Sequence, residues 1–120
     1  MNSNNRTVGS YEEGLALDFL KEQGIRICDK NFRNRTGEID LIGYDQQTLV
    51  FFEVKYRKNG RVGASLEAVG VAKQRQICKV AEFYLYVKHI STNTAIRYDV
   101  IGIDRDSIHW IKNAFYHIRR

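Results

Sequence analysis

The chain has 120 residues, 43% hydrophobic and 28% charged, which suits one folded domain and excludes a disordered chain. Its first residues are polar and no apolar run approaches the roughly 18 residues that cross a bilayer, so we expect a cytoplasmic protein without a signal peptide or membrane span. The net charge of +5 favours polyanionic partners, although charge alone identifies none.

The first part of the chain predicts a tail followed by a helix. Residues 1–9 are expected to be flexible, in front of one domain over residues 10–120. The helix is predicted to begin at Ser10, which fits an S-x-x-E capping box together with Glu13, and to end just before Gly24.

Five strands and a second helix are predicted after this first helix. The second helix is expected over residues 71–87, where apolar residues recur at helical spacing. The element order is helix, three strands, helix, two strands, which predicts an α/β fold with a central mixed β-sheet flanked by helices. The predicted strands cover residues 25–28, 38–44, 49–55, 95–103 and 107–112.

The second and third strands form a hairpin by their spacing, and its register brings two acids together. Side chains of one strand alternate between faces, so Glu53 and Lys55 point the same way. With Tyr44 opposite Leu49, Asp40 falls opposite Glu53, with Cβ atoms roughly 4.5–5.5 Å apart. Carboxylates this close are stable when they share a proton or a cation. Oxygen ligands of this kind suit Mg²⁺ or Mn²⁺.

This arrangement predicts phosphodiester chemistry. A divalent ion polarises a phosphoryl oxygen and lowers the pKa of a bound water, and Lys55 can orient that water or stabilise the charge that develops on phosphorus. The alternative is a solvated, salt-bridged surface. Against it, both faces of the hairpin strands carry apolar residues, and charges on a buried strand are costly. Glu13 is a candidate third carboxylate, although its capping box explains it equally well.

Cationic side chains follow the third strand. Arg57, Lys58 and Arg61 lie in or beside a glycine-containing loop, where we expect them to contact phosphates. Tyr56 can stack on a base or a sugar, and Lys73 can contact phosphate from the start of the second helix. The alternatives are solvated cations and a tyrosine that only packs.

Four further residues are interpreted as structural. Cys28 and Cys78 show no metal-ligand spacing, so we expect small buried residues rather than a disulfide. Arg97 and Asp99 lie two positions apart on one strand, and we expect them to pair with each other or with the hairpin.

The sequence resembles the YraN family of small bacterial proteins, which are similar to Holliday junction resolvases and other PD-(D/E)xK nucleases. The likeness covers nearly the whole chain from Gly9 to Phe115. It is carried by GEIDLI at residues 37–42, VFFEVKYR at 50–57, the first helix from Glu13, the helix over 73–85, RYDV at 97–100 and the closing segment from His109.

The resemblance implies a restriction-endonuclease-like fold and a site for Mg²⁺ or Mn²⁺. The ligands would be Glu13, Asp40, Glu53 and the carbonyl of Val54, with Lys55 in the position of the catalytic lysine. The expected activity is metal-dependent cleavage of DNA, at branched or damaged structures. The alternative is a nucleic-acid-binding protein of the same fold that does not cut.

Two further expectations follow from the resemblance. Related resolvases act as two-fold assemblies, so the resemblance is compatible with a homodimer here. Glu12 stands where relatives often carry glycine, so either of two neighbouring glutamates can face the sheet. We choose Glu13, because it shares the helical register of Ala16.

Overall fold

The computed structural model describes residues 3–57, 69–105 and 107–118, with side chains from residue 11 onward. All five strands form one sheet in the order β1-β2-β3-β4-β5. Neighbouring strands are antiparallel except for β3 and β4, which are parallel. The predicted α/β fold with a mixed sheet is confirmed. Its elements are α1 (Ser3–Glu22), β1 (Arg26–Arg33), β2 (Glu38–Asp45), β3 (Thr48–Arg57), α2 (Val71–Val87), β4 (Ile96–Asp104) and β5 (Ser107–Phe115).

The two helices differ in how well their bounds were predicted. Helix α2 has the predicted bounds, whereas α1 begins at Ser3, so the predicted start at Ser10 was wrong. Ser10 is an interior residue of α1, and no proline in the chain stops the helix from extending beyond it. The flexibility expected of residues 1–9 stays a prediction. Within the described part of the chain, neither helix combines the length and apolar character needed to cross a membrane.

The two edge strands are longer than predicted. Strand β1 runs to Arg33 and β5 runs to Phe115. Each ladder contains a register shift, and Asn31 in β1 and Asn113 in β5 have left-handed φ values of 55° and 56°. Such irregularities break the two-residue alternation from which strands are recognised in a sequence.

The sheet is covered on both faces. Helix α2 contributes Ile77 to a buried cluster that contains Phe51. Helix α1 contributes Ala16 to a separate cluster that contains Phe52. Phe51 and Phe52 are consecutive in β3, so they point to opposite faces, and each is 1% exposed. The inference that the hairpin strands are buried on both sides is therefore confirmed.

The two cysteines differ in their surroundings. Both lie in the described residues and are free thiols, so the expectation of no disulfide is confirmed. Cys78 on α2 is buried as expected, but Cys28 is exposed, and its predicted burial was wrong. The reason is its place in β1, an edge strand whose residues alternate between exposed and half-buried positions.

Several acidic residues lie at one end of the sheet. Strand β2 is antiparallel to β3, and β4 is parallel to it, so the start of β2 lies beside the ends of β3 and β4. Asp40, Glu53 and Asp104 are therefore carried to the same end. Side chains from both helices, Glu13 and Lys73, also reach it. We call this region the acidic end of the sheet.

Candidate metal-binding and catalytic site

Asp40 lies where the hairpin ladder stops. The register is the predicted one from Asp45 with Thr48 to Leu41 with Phe52, and the pairing described for β2 and β3 ends there. Asp40 and Glu53 are therefore not ladder partners, which corrects the predicted pairing. The main-chain N–H of Val54 donates a hydrogen bond to Oδ2 of Asp40 at 2.7 Å. Because a side-chain oxygen accepts this bond, the N–H is not available for a main-chain oxygen of β2, and the ladder ends here.

Asp40 and Glu53 nevertheless interact electrostatically. Burial raises the pKa of Asp40 to about 7, the negative charge of Glu53 contributes to the increase, and the hydrogen bond from Val54 opposes it. The charges of Glu13 and Glu38 raise this pKa further. Asp40 is therefore divided between its neutral and charged forms near neutral pH. A cation beside it would favour the charged form.

Three carboxylates lie close together at the acidic end of the sheet. One oxygen from each of Glu13, Glu38 and Asp40 lies within 4.8 Å of the others. Burial raises the pKa of Glu13, and the charge of Glu38 adds to the effect. Both neighbouring glutamates are turned inward: Glu13 is half-buried and reaches this group, whereas Glu12 is buried and 5% exposed. Glu38 was not predicted, although its place two residues before Asp40 on one strand was a usable signal.

The Asn31 side chain bridges two of these acids. With its amide nitrogen turned toward them, as the surrounding acceptors require, it lies 3.0 and 3.2 Å from the two carboxylate oxygens of Glu13 and 2.9 Å from Oε2 of Glu38. Sequence reasoning did not single out Asn31. The amide holds Glu13 of α1 and Glu38 of β2 in one orientation.

Glu53 faces α2 and is paired with a lysine. Nζ of Lys73 lies 3.7 Å from Oε2 of Glu53. Burial raises the pKa of Glu53, while the charges of Lys73 and Lys55 oppose the increase. Within the described residues, Glu53 is not part of the close group that Glu13, Glu38 and Asp40 form. Glu53, a predicted metal ligand, is instead paired with Lys73.

The predicted nucleic-acid contacts are distributed around the end of β3. Tyr56 is half-buried and packs against the cluster under α1. Arg57 is exposed, and its guanidinium donates to the Tyr56 carbonyl at 2.9 Å. Lys58 and Arg61 lie outside the described residues. Lys73, as described above, reaches the same end from α2.

A groove connects the cationic side chains to Glu53. It has a volume of about 380 Å³ and follows the last residues of β3 to the first turn of α2. Its lining includes Glu53, Lys55, Arg57 and Lys73. Acidic and basic groups thus line one open surface at the end of β3.

Arg97 and Asp99 form a buried structural network, as expected. Two guanidinium nitrogens of Arg97 donate to Asp99 at 2.8 and 2.9 Å, and Arg97 also donates to Asp45 of the hairpin at 3.0 Å. Asp99 accepts two more hydrogen bonds, from the Trp110 indole and the Asn113 main-chain N–H, each at 2.9 Å. The network fastens β4 and β5 to the hairpin.

Comparison with known proteins identifies the family. The sequence profile of the uncharacterised protein family UPF0102 matches residues 12–103. A UPF0102 protein from Marinobacter nauticus is 43% identical over 114 residues, covering 91% of this chain and 92% of its own. One from Lachnoclostridium phytofermentans is 41% identical, covering 93% and 95%, and one from Vibrio vulnificus is 44% identical, covering 91% and 92%. The chain belongs to this family, UPF0102, which is the YraN family that its motifs resemble.

Proposed function

We propose that this protein is a metal-dependent endonuclease that hydrolyses phosphodiester bonds of DNA, on a fold of the PD-(D/E)xK type. The observation that carries the proposal is the convergence of acids and lysines at one end of the sheet. The converging residues are Glu13, Glu38, Asp40, Glu53, Lys55 and Lys73.

The topology supports this type of fold. An opening helix leads into three antiparallel strands, and α2 then crosses over to β4, which lies parallel to β3. Acids from the first helix, the second strand and the third strand meet where β3 and β4 end. The ends of parallel strands are where open α/β sheets bind ligands.

The carboxylates fit a hard divalent cation. Oxygens that share one octahedral Mg²⁺ lie about 3–4 Å apart, and the oxygens of Glu13, Glu38 and Asp40 lie within 4.8 Å of one another. The N–H and C=O of one strand residue point the same way, so the Val54 carbonyl is also expected on the side of Asp40. These ligands suit Mg²⁺ or Mn²⁺. A bound ion would supply Lewis-acid polarisation of a phosphoryl oxygen and a more acidic water.

The lysines supply the remaining electrostatic help. Lys55 shares a strand face with Glu53 and lies close enough to influence its pKa. From there its ammonium can donate to a non-bridging phosphate oxygen and stabilise the charge that develops in the transition state. Arg57 is exposed at the edge of the same groove, where it can bind the next phosphate along the strand.

One observation favours the alternative of a nucleic-acid-binding protein that does not cut. Lys73 lies 3.7 Å from Glu53 and provides a positive charge for that carboxylate without any metal. If this ion pair persists on DNA, Glu53 would be occupied and the basic groove would only bind.

A cleavage assay tests the proposal. The purified protein would be incubated with linear, branched and single-stranded DNA and with Mg²⁺ or Mn²⁺, and the products separated on denaturing gels. We expect metal-dependent nicking that Glu53→Gln abolishes while DNA binding is retained. The matched control is Glu22→Gln, an exposed glutamate of α1, which should cut normally. Binding without cutting on all three substrates supports the alternative, and the absence of both rejects the two functions together.

A further inference from the structure

A second pocket lies on the α1 side of β3, opposite the groove that Glu53, Lys55 and Lys73 line. It has a volume of about 480 Å³, which is within the range of small-molecule sites. Leu15 of α1, Ile103 at the end of β4 and Ile108 of β5 form its apolar part. The pocket thus opens at the acidic end of the sheet but is separate from the three clustered carboxylates.

Glu12 lines this pocket and is an unusual residue to find there. The residue is only 5% exposed, and its Oε1 is buried with no hydrogen-bond partner among the described residues. A buried carboxylate oxygen without a donor is costly, and such groups call for an explanation. Side chains of neighbouring helix residues point about 100° apart. Glu13 therefore lies in the group of three carboxylates, whereas Glu12 lines the pocket. A ligand with N–H donors would satisfy Glu12.

The aromatic residues of the pocket indicate a flat ligand. Tyr11 and Tyr56 both line it, and Tyr11 is 64% exposed, which leaves its ring available for contact. Tyrosine rings stack on nucleobases in proteins that bind single strands. Tyr56 also directly follows Lys55, so a base in this pocket would lie close to the strand that carries the proposed catalytic lysine.

The cationic residue of the pocket distinguishes between ligand classes. A carboxylate with aromatic neighbours also fits an ammonium ligand, but exposed Arg105 lines the same pocket and would repel one. Arg105 would instead attract a phosphate. A nucleotide combines the three features that this pocket would recognise. Its base has N–H donors for Glu12 and a flat surface for the tyrosine rings, and its phosphate can pair with Arg105.

We propose that this pocket binds one unpaired or flipped-out nucleobase of the DNA substrate, with guanine preferred. Guanine presents two adjacent N–H donors, N1–H and the 2-amino group, in the spacing that the two oxygens of a carboxylate accept; because Oε1 of Glu12 is buried, the two-donor contact requires the side chain to turn toward the pocket. The other three bases offer a single such donor group. Enzymes that act on nucleic acids extrude bases into pockets of this kind. The inference rests on the proposed function, because it takes DNA as the substrate.

Nucleotide titration of the full chain without added metal tests this pocket. Backbone amide shifts would be followed by NMR for the 5′-monophosphates of guanosine, adenosine, cytidine and thymidine, with inorganic phosphate as a further probe. We expect the guanine nucleotide to shift amides around Glu12 and Tyr56 and to bind at least about fivefold more tightly than the others, as a bidentate contact implies.

Two variants make the result specific. Glu12→Gln should remove the guanine preference, whereas Glu22→Gln on the same helix should keep it. Should Glu12→Gln fail to fold, Tyr11→Ala provides the second test, with binding of every base weakened about tenfold through lost stacking. Equal binding of the four nucleotides, shifts located elsewhere, or the same shifts with phosphate alone would overturn the proposal.

The titration needs no cleavage, so the two proposals can fail separately. Guanine selectivity in a protein that cuts no DNA would overturn the nuclease function and leave a nucleotide site at Glu12. Metal-dependent cutting without base selectivity would overturn the pocket and leave the nuclease function intact.

Discussion

The Asp40 carboxylate accepts a hydrogen bond from the main-chain N–H of Val54 at 2.7 Å. A side chain thereby takes the position that a β2 main-chain oxygen would occupy if the ladder continued. The strands stop pairing after Leu41 and Phe52, which leaves room for the acids between their ends. One interaction therefore ends the hairpin and orients the central acid of the proposed site.

Asp40→Asn is expected to stabilise the metal-free protein at neutral and alkaline pH. The pKa of Asp40 rises from 3.8 to about 7 on folding, chiefly by burial, so the folded state holds its proton more tightly than the unfolded state. Stability is therefore lost as pH rises from about 4 to about 7. Asparagine cannot ionise but can still accept from Val54, so we expect a gain of about 1–3 kcal/mol above pH 7.

Urea unfolding in the presence of a chelator would measure this difference. The advantage of Asp40→Asn should be present at about pH 8 and absent at about pH 3, below both pKa values. Asp18→Asn, at an exposed position of α1, is the control and should show no such dependence. A variant less stable than the natural protein at pH 8 would mean that Asp40 is not strained by its ionisation.

Mn²⁺ is expected to raise the melting temperature, and to do so more strongly at neutral than at acid pH. Binding requires deprotonated ligands, and the raised pKa values of Asp40, Glu13 and Glu53 mean that protons compete with the metal in mildly acidic solution. At a metal concentration of 100 times Kd the gain is about 2.7 kcal/mol. Calorimetric melting at two pH values would measure it.

The unpredicted residue Glu38 can be tested in the same experiment. Glu38→Gln should reduce the Mn²⁺-induced stabilisation about as much as Glu13→Gln, because both supply oxygens to the group within 4.8 Å. Glu22→Gln should leave it unchanged. If Glu38→Gln responds to Mn²⁺ as the natural protein does, Glu38 only accepts from Asn31 and does not hold the ion.

The parts of the site that were predicted depend on local sequence. The hairpin register follows from two-residue alternation and a short turn, so the pairing from Asp45 with Thr48 to Leu41 with Phe52 was predicted correctly, whereas the pairing of Asp40 with Glu53 was not found. Helix α2 was predicted with its observed bounds because its apolar residues recur at helical spacing between Gly70 and Lys88.

The parts that were missed depend on contacts between distant segments. Lys73 pairs with Glu53 because the first turn of α2 lies beside the end of β3, and nothing in the spacing of these residues in the sequence reveals that approach. Asn31 reaches Glu13 and Glu38 from an irregular position of β1, where its φ of 55° interrupts the strand pattern. Ligand sets built from one hairpin therefore omit the groups that helices and edge strands bring to it.

Arg97→Met is expected to destabilise the protein strongly. Its removal leaves Asp99, whose side chain is fully buried, without a charged partner, and such changes cost about 3–5 kcal/mol. The donors that remain, Trp110 and Asn113, favour the lower end of that range. Arg33→Met is the matched control, because its ion pair with Glu38 is mostly exposed and such pairs contribute about 1 kcal/mol or less. Equal losses in urea unfolding would contradict the structural role of Arg97.

Two glycine substitutions should have opposite effects on stability. A Cβ at Gly43 would lie 2.9 Å from the carbonyl oxygen of Arg26 and 3.2 Å from the Cα of Ile27. Both are main-chain atoms of β1, so the whole strand would have to move, and we expect Gly43→Ala to cost about 1–3 kcal/mol. A Cβ at Gly14, inside α1, meets nothing within 4 Å among the described residues. Gly14→Ala should therefore stabilise the protein by about 0.5–1 kcal/mol through helix propensity.

If Gly43→Ala displaces β1, we expect the acids of the proposed metal site to move as well. Asn31 lies in the same strand and orients Glu13 and Glu38, so Gly43→Ala is expected to weaken the Mn²⁺-induced stabilisation, whereas Gly14→Ala should leave it unchanged. Thermal melts with and without Mn²⁺ would separate the two effects. A Gly43→Ala protein that is less stable but binds Mn²⁺ normally would show that β1 supports the fold without positioning the acids.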